Sequence, residues 1–146
     1  MSEEHIYDFE VFRALVELEI NRIKRYKKSN TFSIAFLYAP NLAKEIEEKK
    51  PKGLDIVFKI KSHLRSTDVI TPVEEDFVFL FFPETGKKDV EKAIERIKKV
   101  FKDKEIIEGI ASYPDDGKDK YQLFNKLVDI MNKKLIPVIE LSSEEH

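Results

Sequence analysis

Val69-Ile70-Thr71-Pro72-Val73-Glu74-Glu75-Asp76-Phe77-Val78-Phe79-Leu80-Phe81-Phe82-Pro83 decides how this chain folds. Two apolar, β-prone runs, residues 69–73 and 77–82, flank the acidic break Glu74-Glu75-Asp76. Short apolar runs bounded by turn residues read as strands. A break this tight makes the two strands double back on each other as an antiparallel hairpin.

On the upstream side, residues 54–65 carry Leu54, Val57, Phe58, Ile60 and Leu64 at helical spacing. Before them, residues 42–50 read as a short charged helix closed by Pro51, and Gly53 resets the chain. Residues 31–39 are β-rich and almost wholly apolar, which predicts a buried strand ended by Pro40 and Asn41. The chain starts with an amphipathic helix over residues 8–28, whose inner face is Phe9, Phe12, Leu15, Val16, Ile20 and Ile23. Downstream, Pro83 and Gly86 lead into a helix reaching about residue 102, through Val90, Ile94, Ile97 and Phe101. Residues 105–113 form a further strand, and Pro114-Asp115-Asp116-Gly117 is a strong turn. A helix over residues 121–134 and a closing strand over residues 135–141 complete the expectation. The fold class is α/β (α+β): a central mixed five-stranded sheet containing a β-hairpin and flanked by helices, in one domain spanning residues 1–146.

Composition limits what such a domain does. Lys and Arg number 26 against 28 Asp and Glu, for a formal net charge of -2. A protein that grips nucleic acid by bulk electrostatics needs a basic excess, so no nucleic-acid partner is expected. There is no cysteine, which excludes disulfides and thiolate chemistry and suits a reducing cytosol. No apolar run has the length of a membrane span, and the polar start Met1-Ser2-Glu3-Glu4-His5 is unlike a signal peptide. A cytoplasmic protein without a membrane partner is the expectation. His5, His63 and His146 are too scattered for a metal motif, and His63 falls on a polar part of its helix. No phosphate loop and no nucleophile elbow is present. The 11 phenylalanines sit mostly on strands and inner helix faces, where core packing explains them better than base stacking.

Several segments resemble one family. Glu19-Ile20-Asn21-Arg22-Ile23-Lys24-Arg25-Tyr26 followed by Phe32-Ser33-Ile34-Ala35-Phe36-Leu37 is similar to the opening helix and first strand of GGDEF domains. Arg65-Ser66-Thr67-Asp68-Val69-Ile70 resembles their helix-to-hairpin join. Asp76-Phe77 through Phe81-Phe82-Pro83-Glu84-Thr85 resembles the second hairpin strand and its exit. Gly109-Ile110-Ala111-Ser112-Tyr113-Pro114-Asp115-Asp116-Gly117 resembles the strand and turn before the last helix. The resemblance implies a nucleotidyl-cyclase palm, in a family that condenses two GTP molecules into cyclic di-GMP with two magnesium ions.

Set against the family pattern, the chemistry is depleted. The metal-binding Asp near the end of the first strand corresponds to Tyr38, and a phenol with a pKa of about 10 is a poor magnesium ligand. The next family acid corresponds to Pro40. The two glycines of the signature hairpin are replaced by Val73 and Glu74. Val73 disfavours positive φ, and Glu74 brings a negative charge toward the phosphates. Glu75, Asp76 and Phe77 complete the degenerate signature; Glu75 and Asp76 keep the family's acidic positions as weak metal candidates, with no metal expected. The helix that supplies an Asn-Asp pair for guanine reads Lys44-Glu45-Ile46-Glu47-Glu48-Lys49. The family's early Leu-Thr-Gly-Leu turn has no counterpart between Ile6 and Phe12, and its late phosphate-contacting Lys aligns with Leu135, beside Lys134. No catalytic residue, no cofactor and no diguanylate cyclase activity are expected.

What survives is Arg65-Ser66-Thr67-Asp68, which matches the family's R-x-x-D product site. An Arg fork donates to a guanine O6/N7 edge or a phosphate, and an Asp accepts from guanine N–H groups. Arg65 and Asp68 are therefore the candidate cyclic di-GMP ligands. The alternative reading is structural: a cation at a helix end with an acid beside it. A binding domain is the expectation, with cyclic di-GMP or a signalling protein as its partner; a homodimer is compatible with the family, and residual nucleotide processing through Glu75 and Asp76 is a further alternative. With the first helix starting so early, no upstream sensor domain is expected.

Overall fold

The computed structural model describes residues 9–26, 31–40, 55–71, 76–99, 101 and 105–144. The elements run α1 (Phe9–Tyr26), β1 (Phe32–Tyr38), α2 (Asp55–Lys61), β2 (Val69–Ile70), β3 (Phe77–Pro83), α3 (Lys87–Lys98), β4 (Ile107–Tyr113) and α4 (Lys120–Glu144). The expected helix over residues 42–50 lies outside the described residues.

The sheet has the order β2-β3-β1-β4. β1 is antiparallel to both β3 and β4, and β2 is antiparallel to β3. β1 and β2 therefore run the same way with β3 between them, and β3 and β4 run the same way with β1 between them. These are two interleaved split β-α-β units. The hairpin and the helix-flanked sheet are as expected. Two details differ. Every pairing between described strands is antiparallel, so the sheet is not mixed at these residues. Its described strands number four rather than five, because residues 135–141 continue α4 instead of forming a closing strand. The reason is periodic: Leu123, Leu127 and Leu135 are all buried in one cluster, at spacings that keep one helical stripe facing the sheet. Pairing with a sheet edge would have broken that stripe.

Burial on both faces explains why β1 is apolar at nearly every position. Phe32, Ile34 and Phe36 point into a core shared with Phe12, Val16, Ile20 and Ile23 of α1 and with Leu123 and Leu127 of α4. Ala35 and Leu37, and Ala39 just beyond the strand, point the other way, into a core shared with Ile60 of α2 and with Val90, Ala93, Ile94 and Ile97 of α3. The strand period of two sorts one run of seven residues into two cores. The first core is strongly aromatic. Phe12 lies edge-on to Phe81 at 6.4 Å, and Phe32 stacks on Tyr113 at 5.3 Å; such pairs add to the plain burial of area.

Candidate functional site

Two places matter, the end of β1 where it meets the start of β3, and the turn between α2 and β2. At the first, β1 ends on Tyr38, which is paired across the ladder with Phe77 of β3 and Ile107 of β4. The Tyr38 and Phe77 rings meet at 4.9 Å, and Phe77 in turn stacks on Phe79 at 6.0 Å. An aromatic stair thus occupies the strand end where the family pattern calls for a carboxylate. The Ala39 N–H donates to the Asp76 carbonyl at 3.2 Å, which fixes the hairpin's return against the end of β1. Asp76 holds φ at 69°, a left-handed conformation that Asp tolerates better than most residues. Burial pushes the half-buried Tyr38 phenol above its usual 10.0, and the nearby Asp76 charge pushes it further. A neutral phenol is what this pocket favours, which weakens Tyr38 further as a cation ligand. Val73, Glu74 and Glu75 lie outside the described residues, so of the degenerate signature only Asp76 and Phe77 are placed. Among the described residues no group of three His, Cys, Asp or Glu side chains is arranged to hold a metal ion. Pro40 is exposed in the turn after β1, and His63 is exposed beyond α2.

At the second place, the sequence pair Arg65 and Asp68 is brought together, and the two residues take different parts. α2 ends at Lys61, and the chain turns back with the Asp68 N–H donating to the Arg65 carbonyl at 3.0 Å. Asp68 is 4% exposed. One of its oxygens accepts from the Arg65 backbone N–H at 2.8 Å, the other from Arg65 Nη2 at 3.2 Å. Its carboxylate therefore faces inward and orients Arg65. Arg65 itself is 56% exposed. Nη2 also donates to the Pro83 carbonyl at 2.7 Å and to Thr85 Oγ1, both at the exit of β3. All of the guanidinium's bonds to described residues leave from Nη2.

Residues that sequence reasoning passed over extend this site inward. Thr85 Oγ1 donates to the Pro83 carbonyl at 2.8 Å, and the Thr85 carbonyl accepts from Ser33 Oγ at 2.8 Å. Ser33 Oγ lies 2.7 Å from Ser112 Oγ, its cross-strand partner on β4. A hydroxyl has one hydrogen. Ser33 spends its own on Thr85, so Ser112 donates to Ser33. The Ser112 N–H then donates to Asp116 Oδ2 at 2.9 Å, and the Asp116 N–H returns to the Ser112 carbonyl at 2.8 Å. Both serines are buried, Ser33 completely. A lone serine inside an otherwise apolar strand was the available signal, since a buried hydroxyl requires a partner.

Between α1 and α4 a groove of about 380 Å³ is lined by Phe79, Phe124, Leu127, Val128 and Met131, with Arg13 and Lys120 at its rim. Lys120 is bound to Glu17 of α1 at 2.9 Å, and Arg13 lies 3.6 Å from Glu10. Lys134, beside the family's phosphate-contacting position, donates instead to the Glu108 carbonyl at 2.8 Å. No described helix is long and apolar enough to cross a membrane.

No protein-family model and no curated protein matches this sequence. Solved structures do match. The GGDEF domain of PA1120 (YfiN or TpbB) from Pseudomonas aeruginosa superposes with a TM-score of 0.71 at 12% identity, over 88% of each chain. A DGC protein from Thermotoga maritima gives 0.70 at 19% identity, over 89% of this chain and 98% of that one. The GGDEF domain of DgcB from Caulobacter crescentus, in complex with c-di-GMP, gives 0.64 at 9% identity over 88% and 85%. Identities this low speak for architecture alone, and on that the superpositions agree: the chain has the fold of the GGDEF domain.

Proposed function

We propose that this chain is a non-catalytic GGDEF-like domain that acts by binding, and that its ligand is cyclic di-GMP held through Arg65. The observation that carries this reading is the posture of Arg65. Its guanidinium is 56% exposed, held out by a buried Asp68, and its Nε and Nη1 bond no described residue. Nη2 ties the guanidinium to the fold while Nε and Nη1 keep hydrogens for a ligand, which suits an acceptor such as a guanine O6/N7 edge or a phosphate. Asp68 serves as the positioning group. The c-di-GMP in the DgcB structure supports the choice of ligand. The aromatic end of β1, with Tyr38 and Phe77 in contact, supports the loss of cyclase chemistry, because two-metal catalysis needs carboxylates there.

Isothermal titration of the purified chain with cyclic di-GMP tests the proposal. Measurable heat that disappears in Arg65→Ala is expected, and incubation with GTP and magnesium is expected to yield no cyclic di-GMP. Steady product formation would refute the non-catalytic reading; equal binding by Arg65→Ala would refute the site.

A second reading, contact with a signalling protein, is favoured by one observation. Val11 and Leu18 lie seven residues apart on one side of α1, 39% and 63% exposed, with half-buried Leu15 between them. Exposed apolar stripes of this kind mark contact surfaces. Capture of a partner from the native host, lost in Leu18→Glu and retained in Arg65→Ala, would select this reading over nucleotide binding.

A further inference from the structure

Arg65 Nη2 carries two hydrogens. Three oxygens share them: Asp68 Oδ1, the Pro83 carbonyl and Thr85 Oγ1. A guanidinium has two bidentate edges, one pairing Nη2 with Nη1 and the other pairing it with Nε. Both edges include Nη2. Any ligand that engages Arg65 as a fork must therefore draw on the one nitrogen that is already oversubscribed.

The three acceptors are not equally easy to give up. Asp68 is charged, buried and tied to the Arg65 backbone N–H. The Pro83 carbonyl keeps the hydrogen bond from Thr85 Oγ1 when Arg65 leaves. Thr85 Oγ1 is the acceptor that loses least, so it is the one released. Thr85 is also the residue whose carbonyl receives Ser33, and Ser33 is bonded in turn to Ser112 at the start of the Asp116 turn. The chain of contacts runs from an exposed guanidinium, past the exit of β3 and across β1, to the turn that follows β4.

We propose that Arg65 is a two-position clasp. Without ligand it is docked on Thr85 and holds the β3 exit against the Ser33–Ser112 pair; a ligand that takes the Arg65 fork undocks Thr85 and loosens the Ser112–Asp116 turn. This rests on the reading of Arg65 as the ligand site and adds how occupancy of that site is reported elsewhere in the domain.

The experiment is titration of the full chain with cyclic di-GMP, together with amide hydrogen exchange at Ser112 and Asp116, for wild type, Thr85→Val and Ser33→Ala. Thr85→Val keeps the branched shape and removes the competing acceptor. It is expected to bind at least threefold tighter than wild type. In wild type, ligand is expected to raise exchange at Ser112 and Asp116 severalfold. Ser33→Ala, which cuts the relay beyond the clasp, is expected to lose the exchange response and to bind no more weakly than wild type, since the strain it removes opposes binding. If wild type binds while Thr85→Val binds no tighter and exchange at Ser112 and Asp116 is unmoved, the clasp is wrong and the site stands. If wild type fails to bind but Thr85→Val binds, the clasp is confirmed as self-blocking. If neither binds, site and clasp fall together. A Thr85→Val chain that does not fold passes the decision to Ser33→Ala: an exchange response that survives in that variant overturns the relay, and one that is lost without any loss of affinity supports it.

Discussion

The ring of Phe36 lies across Gly109, its partner on the neighbouring strand β4. A Cβ built on Gly109 would come within 2.2 Å of the Phe36 ring and 2.8 Å of Ile130 Cγ2. Glycine is needed here for space, since its φ is not positive. Gly109→Ala is expected to destabilise the fold by about 1–3 kcal/mol, the usual cost of overpacking a filled core. Phe36→Leu in the same chain should recover part of that loss. Urea unfolding of the two single variants and the double variant measures both effects, and strictly additive losses would count against the clash.

Asp68→Ala should cost about 1–3 kcal/mol, because it strips the Arg65 backbone N–H of its acceptor, a carboxylate that is itself buried. Arg65→Ala should cost less, about 1 kcal/mol, since most of that side chain is in solvent. The order of the two losses in thermal or urea unfolding distinguishes an inward-facing Asp68 from one presented to a ligand.

Tyr38 gives the fold an alkaline weakness. Its pKa is raised by burial first and by the Asp76 charge second. A raised pKa means that the folded state holds the proton more tightly than the unfolded chain does. The contribution is fully present below the usual 10.0 and is lost as pH rises through the folded value. Stability measured by denaturant is expected to fall above about pH 10, and Tyr38→Phe should fall less steeply over that range. Phenolate absorbance should show Tyr38 titrating above the usual 10.0, and Tyr38→Phe should remove that step.

Leu135→Ala should remove about 2–4 kcal/mol, since Leu135 is 5% exposed in the core beneath α4. Lys133→Ala, two positions earlier on the exposed side, should change stability by no more than about 0.5 kcal/mol. Near-equal effects in chemical denaturation would argue against a helix that continues past Lys134.

Much of this architecture was legible because its elements are cleanly periodic. α1, β1, β3, α3 and β4 were read within a few residues of their bounds, and the turn at Pro114-Asp115-Asp116-Gly117 is closed by the reciprocal bonds of Ser112 and Asp116. Residues 135–141 were misread because Leu135-Ile136-Pro137-Val138-Ile139 is short, apolar and β-branched, and such a run does not declare its own period. It was resolved only by the stripe that Leu123 and Leu127 begin well upstream of Leu135. The site was legible by halves. The spacing of Arg65 and Asp68 on one turn foretold their contact. The burial of Asp68, and the engagement of Arg65 by Pro83 and Thr85, depend on residues that only the tertiary fold brings close.

The central strand carries a consequence for how this protein can vary. Seven residues of β1 serve two different interiors by turns, large rings on one side, small and branched groups on the other, with Ser33 among the latter. Loss or gain of a single residue there would exchange the interiors wholesale, driving phenyl rings into the space of alanines and a hydroxyl into an aromatic stack. Tyr38, at the tip, is half-buried and meets only the margin of the aromatic interior, against Phe77. The strand's end is thus freer to trade a charged group for a ring than any position behind it, where the count of residues is locked.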